Sequence, residues 1–523
     1  MKLFNRKLFH LAVCLIIGLQ FLISCSSSSD TKVFDKSWPP ELPTANENGM
    51  ATLNSADLLT IPHSVQHILD STVNAKLVVA EHVPTVELSY HTELPHAAFN
   101  GTGWSSWGDI LVASDGKVYS GTGNHWGIDS GETYVYSWDP SIKRLKKIAD
   151  INQLTKARPG DVRFSKVHAH IIEGNDKKIY FTGTLDDGGK AGNKEMLERW
   201  NDNIAGGKLF QYDPATGESV VYADFPAARV TATMKYDPIR NLLYCALEGS
   251  SEGFALGVFD MSTREWIYKG KPGEISGQDR NFILDSKGNL YFNGPESFIH
   301  TGIRLKNLLE AWQKKKTTIY DQGKYVSPSM LPGIKRRLNK ESSTYTTLMK
   351  YDPRSNKVTP TNSYFKSIGF RSSTKETKEG YVYGSTMGGE LFRYSPSKDE
   401  LILLGSNFLV EGEYITVCDL SPDEKYVYYL PGAHGSAGFS GTPVIQYDIK
   451  KGQQKSLAFL YEPMNKVLNY APGGTYGMKV SQDGTKLYIG LNGSPSEALR
   501  PKGLHEGFGL TSFVTIYIPE QER

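Results

Sequence analysis

A branched or Leu residue followed by Tyr, set just after a Gly/Asp/Lys turn, recurs seven times along this chain. The pairs are Val118-Tyr119, Ile179-Tyr180, Leu243-Tyr244, Leu290-Tyr291, Val382-Tyr383, Val427-Tyr428 and Leu487-Tyr488, and their Tyr residues are spaced by 61, 64, 47, 92, 45 and 60 positions. Each pair is followed by an alternating stretch that ends on an aromatic residue, often with Asp-Pro. These endings are Trp138-Asp139-Pro140, Tyr212-Asp213-Pro214, Phe259-Asp260, Tyr351-Asp352-Pro353, Tyr394-Ser395-Pro396, Tyr447-Asp448 and Tyr517-Ile518-Pro519. Period-2 patterning, such as Phe210 and Tyr212 flanking Gln211, argues for strands over helices. Seven units of strand, turn, strand, loop, strand, Asp-Pro turn and strand predict an all-β fold, a seven-bladed β-propeller of four-stranded antiparallel blades.

The seventh unit reaches Arg523 just after its third strand. Residues 76–80 or 86–90, extended and lying before unit one, are expected to supply the fourth, so that the ring closes without an exposed sheet edge. The propeller is therefore expected over residues 76–523, behind a leader (1–24) and a Ser/Thr/Asn/Pro-rich linker (25–75) with one short helical patch around residues 64–69. The 92-residue interval holds an insertion at about 296–342. Within it Leu305, Leu308, Leu309 and Trp312 fall at helical spacing before Lys314, Lys315 and Lys316. A helix packed on the rim with a solvated basic end is expected there, rather than an arm that reaches the substrate.

Lys+Arg number 58 and Asp+Glu 56 in 523 residues. Lys2, Arg6 and Lys7 belong to an acid-free leader, so no bulk basicity points to nucleic acid and any anion site must be local. A basic start, an uncharged apolar run from Leu8 to Ile23 and then Ser24-Cys25 and a Ser run form a secretory leader. Its end resembles the lipobox of bacterial lipoproteins. Export is expected, with Cys25 lipidated and the membrane met only through acyl chains, on the outer membrane of the cell envelope. Of the 4 Cys in the chain, Cys245 and Cys418 are left as buried free thiols, too few for a disulfide scaffold or a Cys-rich zinc module.

Inner strands of a propeller converge on a central channel, where ligands bind by general analogy. Aligning the units on the repeated Tyr gives the inner series Gly108, His168, Ala232, Arg280, Arg371, Thr416 and Tyr476. Lys166 and Tyr414 lie two residues earlier in their strands, and His170 two residues after His168 on the same face. The repeated Tyr residues recur in every unit and are assigned to the core. The loop Gly121-Thr122-Gly123-Asn124-His125-Trp126-Gly127 leaves the same end of unit one and presents Asn124 and His125, while Arg229 and His434 sit in loops on that face. His125, His168 and His170 could alternatively take zinc, but no close carboxylate or thiolate completes the set. Asp129, Asp186 and Asp187 carry a weak calcium signal.

The leader, the seven-unit ring, the Gly121–Gly127 loop and the Lys166-Val167-His168-Ala169-His170 strand together resemble the propeller ulvan lyases, polysaccharide-lyase families 24 and 25. The resemblance covers about residues 95–523 in architecture and only the two His segments at motif level. It implies cleavage of ulvan, a sulfated rhamnose–uronic acid polymer, by β-elimination, with His or Tyr as base and acid and Arg near the uronate. Carried onto these residues, Arg280 or Arg229 would neutralise the uronate carboxylate. His125 or His168, near 6.5 when unperturbed, would take the C5 proton. The other His or Tyr476 would protonate the leaving O4. Asn124, Lys166, His170, Arg229, Arg371, Tyr414 and His434 would bind sulfate and neighbouring sugars. No cofactor is needed for this chemistry, and a monomer is expected. A glycoside hydrolase would need two facing carboxyls, which the inner series lacks. A non-catalytic glycan-binding lipoprotein and a lyase for another uronate, such as oligogalacturonate, are the alternatives.

Overall fold

The computed structural model describes residues 39–63, 65–66, 77–94, 103–125, 131–158, 161, 163–185, 207–225, 229–250, 253–271, 273–275, 280–294, 319–321, 324–326, 345–366, 369–387, 389–406, 415–433, 435–501, 503–504 and 506–523. Tyr414, His434, Cys25, Asp129, Asp186, Asp187 and the expected rim helix lie outside them, as does most of the expected 64–69 helical patch. The body from Pro39 to Arg523 is a seven-bladed β-propeller of antiparallel four-stranded blades.

Each aligned pair sits on the second strand of its blade. In blade one these strands are Leu111–Val112, Val118–Gly123, Thr133–Asp139 and Arg144–Asp150. The pattern repeats with second strands Ile179–Thr182, Leu242–Ser250, Leu290–Asn293, Val382–Thr386, Tyr426–Tyr429 and Lys486–Pro495. All seven repeated Tyr side chains are buried. Several pin the turn beneath them: Tyr119 donates to Asp115 at 2.9 Å, Tyr180 to Asp176 at 2.7 Å and Tyr291 to Asp285 at 3.0 Å. The Asp of the next turn caps its own loop, as Asp139 does for the Ser141 amide at 2.9 Å and Asp213 for the Ala215 amide at 2.9 Å. The repeat is thus a packing and turn device, which is why it is legible seven times and has no place in the chemistry.

Hydrophobic cores lie between successive blades. Tyr119 and Val135 of blade one pack with Phe181 and Phe210 of blade two, and Val118 and Trp138 pack with Tyr488 and Phe513 of blade seven. Blade seven is built from both chain ends: Tyr470–Val480, Lys486–Pro495 and Leu510–Tyr517 are joined by Thr85–Tyr90, with Thr85 opposite Tyr517. The other expected closing stretch is also used, since Leu77–Val79 adds a parallel strand to the outer edge of blade six. The linker reading is corrected at one point. Met50–Leu53, within the 25–75 stretch, pairs with Thr85–Tyr90 as a fifth strand and buries Met50, Ala51 and Leu53, leaving Thr52 exposed. Of the insertion, Ile319–Asp321 and Lys324–Val326 form a hairpin. Cys245 and Cys418 are free and buried.

Candidate active site at the channel mouth

The second strand of blade one, Val118–Gly123, runs up to one end of the channel and delivers Asn124 and His125 there. Gly123 is required by crowding, because a Cβ on it would lie 1.9 Å from the Ser165 carbonyl oxygen of blade two. Asn124 closes its loop by accepting the Glu132 amide at 3.0 Å. His125 takes a left-handed backbone conformation (φ 54°), rare outside glycine, and its amide donates to Ser165 at 3.0 Å. A non-glycine residue held in that region by a neighbouring blade is the kind of local strain found at functional sites.

Around His125 the side chains form one connected cluster. Lys166 Nζ lies 3.2 Å from His125 Nε2 and 5.5 Å above the Trp107 ring. Trp107 meets His125 edge-on at 4.8 Å, stacks on Phe508 at 5.3 Å and lies 5.1 Å from Tyr476 and 6.4 Å from His168. Arg280 donates through Nη1 to the Trp107 carbonyl and through Nη2 to His168 Nε2, both at 2.7 Å, and its guanidinium covers the Tyr476 ring at 4.3 Å. His125 and His168 are partly exposed, whereas Lys166, Trp107, Arg280 and Tyr476 are buried behind them. Five of the sequence-predicted residues, His125, Lys166, His168, Arg280 and Tyr476, are thereby gathered from four blades onto one indole.

An ammonium or guanidinium can only donate, so each of these contacts calls for the facing ring Nε2 to accept, with the proton on Nδ1. Arg280 is pushed down to about 9 by burial and by the charge of Arg371, itself only 2% exposed. Arg280 has no carboxylate partner among the described residues. A buried cation without an anion is costly, and the cluster as a whole is an electropositive socket.

Past the bend at Ala169, two residues on from His168, lies a second charged group. His170 sits 3.7 Å from Asp109, which is hydrogen-bonded to Lys479 and accepts the Ile110 and Met478 amides. Against the cost of burial, Lys479 is held protonated by Asp109 and Asp419. Lys235 is pushed down to about 8 by burial and the Lys479 charge, with Asp109 and Asp419 opposing. His170 is held well below the usual histidine range by burial and by Lys479, Lys235 and Arg280. His170 is thus tied to Asp109, while keeping partial exposure like His125 and His168. Thr416 is spent on structure, donating to the Thr475 carbonyl at 2.7 Å. Arg229 opens the first strand of blade three, opposite Glu248.

Sequence reasoning missed Trp107, Phe508, Asp109, Lys235, Asp419 and Lys479. Trp107 and Asp109 flank the aligned Gly108, and the bulges that shift register near Val230/Met234 and Thr475/Gly477 turn Lys235 and Lys479 off the aligned positions. Among the described residues no three His, Cys, Asp or Glu side chains form a metal site. The donor set explains this at the mouth: the Nε2 atoms of His125 and His168 each face a fixed cation, which a metal ion would have to displace.

No family model and no curated protein matches this chain. Solved structures that resemble it include that of U3-55K and that of the RRP9 WD40 repeats. Each is 10% identical with a TM-score of 0.45, covering 83% of this chain and 98% and 97% of theirs. The C-terminal WD40 domain of Sif2 is 10% identical with a TM-score of 0.38 over 83% of this chain and 98% of its own.

Proposed function

We propose that the protein is a polysaccharide lyase that cleaves a uronate-containing polysaccharide, ulvan, by β-elimination. One observation carries the reading: the buried Arg280 guanidinium, without a carboxylate partner among the described residues, touches the partly exposed imidazole of His168 through Nε2. A C5 proton alpha to a carboxylate is removable only when that carboxylate is neutralised, and here the neutralising cation and the base are in contact. In this reading a uronate engages Arg280, with Arg371 adding charge behind it. The carboxylate draws Arg280 off His168 Nε2, and that nitrogen takes the C5 proton. The electron pair forms the C4–C5 double bond as the C4–O4 bond breaks.

In this reading both imidazoles accept at Nε2, so the proton for O4 falls to the Tyr476 phenol. Its oxygen is buried, so this step requires the phenol to be uncovered as the ring seats against Trp107. His125, with Lys166, grips the opposite side of the sugar and serves as base if the ring binds in the reverse sense. The reaction needs no cofactor. The proposal includes export and lipid attachment at Cys25, supported by the leader, and Cys25→Ser should then release the protein from membranes with its folded domain intact.

The test is direct. The protein without its leader is incubated with ulvan, pectin and alginate, and the ultraviolet absorbance of new C4–C5 double bonds is followed. A rise with ulvan supports the proposal. A rise only with pectin reassigns the substrate to another uronate. Saturable ulvan binding with no rise replaces the lyase by a glycan-binding protein.

A further inference from the structure

On the channel face that carries His125, a groove extends outward over blades six and seven. It consists of two cavities of about 450 Å³ each, which share Tyr461, Ala471 and Glu506. Its inner end backs onto the site. Gly435 lines the groove, and a Cβ on it would meet the Phe508 ring at 3.1 Å, while the same ring stacks on Trp107.

We propose that this groove is a subsite for an uncharged, hydroxyl-rich sugar of the same polysaccharide chain, such as a rhamnose that carries no sulfate. The identity of that chain rests on the lyase reading; the sugar specificity of the groove does not. Phe439 lines the groove at 70% exposure, a large apolar surface left in water within a cavity of ligand size. Flat aromatic faces take the C–H face of a pyranose. Beside it stand planar polar groups suited to paired hydroxyls: Glu506 accepts from Tyr461 at 3.1 Å and pairs with Arg500 at 3.3 Å, with Glu497 and Asn465 on the same wall.

Charge sets the specificity. Among the described lining residues two carboxylates, Glu497 and Glu506, face one guanidinium that is already paired, a balance that disfavours a carboxylated or sulfated ring. The mouth, with Lys166, Arg280 and Arg371, has the opposite sign. One face therefore reads two kinds of sugar: an anionic residue over His168 and a neutral one over Phe439. Cleavage is directed to places where an uncharged sugar follows the uronate at that distance.

Calorimetric titration of the full-length protein with neutral oligosaccharides of xylose, glucose and rhamnose, and with hexagalacturonate, tests this. At least one neutral series should bind, and Phe439→Ala should weaken it about tenfold, since an exposed ring can be removed without unfolding. Glu506→Gln should strengthen hexagalacturonate binding several-fold. If the lyase reading holds, Phe439→Ala also raises KM on long polymer, and not on the shortest cleavable fragment. No neutral binding, or binding indifferent to Phe439→Ala, overturns the subsite. Neutral binding that depends on Phe439, without double-bond formation on any uronate polymer, keeps the subsite and removes the lyase.

Discussion

Arg280 Nη2 stands 2.7 Å from His168 Nε2, and since a guanidinium has no lone pair to offer, it fixes which imidazole nitrogen is unprotonated. The contact couples the two roles that a β-elimination needs. In the proposed reaction, a carboxylate that pulls the guanidinium toward itself would uncover the basic nitrogen at the same moment, so that substrate binding would free the base.

Replacing His168 by Ala should lower turnover on ulvan by roughly 100- to 10,000-fold, the usual contribution of a general base. His125→Ala should cost less if His168 is the base, and Tyr476→Phe should cost a comparable amount to His168→Ala. Arg280→Lys should reduce turnover about 100-fold, because an ammonium cannot hold the Trp107 carbonyl, His168 and a carboxylate together. Single-turnover kinetics on protein shown by thermal melting to be folded checks each value. Near-normal rates in both His variants would remove the pair from the mechanism.

Glu522 latches the C-terminal turn to the N-terminal segment. Its carboxylate accepts the Glu81 amide at 2.7 Å, the His82 amide at 3.0 Å and Lys455 Nζ at 2.7 Å. Although burial alone would raise it, these partners hold it down to about 2. A carboxyl lower in the folded state than in the unfolded chain stabilises above about 4.5 and loses that contribution as pH falls toward 2. Glu522→Gln should therefore be less stable at pH 7 by roughly 1–3 kcal/mol, with the gap to wild type closing below pH 4.5. Denaturant melts at several pH values measure it.

Lys235 works in the opposite direction. Its folded value of about 8 lies below that of a free lysine, so between about pH 8 and 10.5 the unfolded chain holds more protons and stability rises with pH. At pH 7 the amine is charged inside the ring at a cost. Lys235→Met should stabilise the fold by about 1–2 kcal/mol at pH 7, an advantage that shrinks as the pH is raised past 8. An advantage constant from pH 7 to 10 would show that the charge is not its source.

Deleting residues 39–90 removes both added strands of blade seven and the strand added to blade six. The remaining chain should fail to unfold cooperatively in urea, because the ring is left open with apolar edges. A cooperative transition from such a fragment would show that closure is dispensable.

The fold was legible because its signal is repeated and local: a Tyr that must reach the turn beneath it needs the same neighbours in every blade. The alignment on that Tyr also brought out His168, Arg280 and Tyr476, although His168 and Arg280 lie outside paired strands and Tyr476 sits at the bulge between Thr475 and Gly477. Their neighbours were not reached. Trp107 stands one residue before the aligned series, Lys235 and Lys479 are turned by bulges, and His170 keeps the parity of His168 yet is tied to Asp109. The fifth strand, Met50–Leu53, was hidden because its four residues, three of them buried, are too few to carry a period-2 signal.

Glu81 and Glu522 are 441 positions apart in the chain and in contact in the fold. The last blade therefore cannot assemble until nearly all of the chain is available, and pairings so distant in sequence form slowly. If the protein is exported, as proposed from its leader, that delay has a use: an unfinished ring is still a thread, and a thread can pass through a translocation pore that a closed propeller cannot enter.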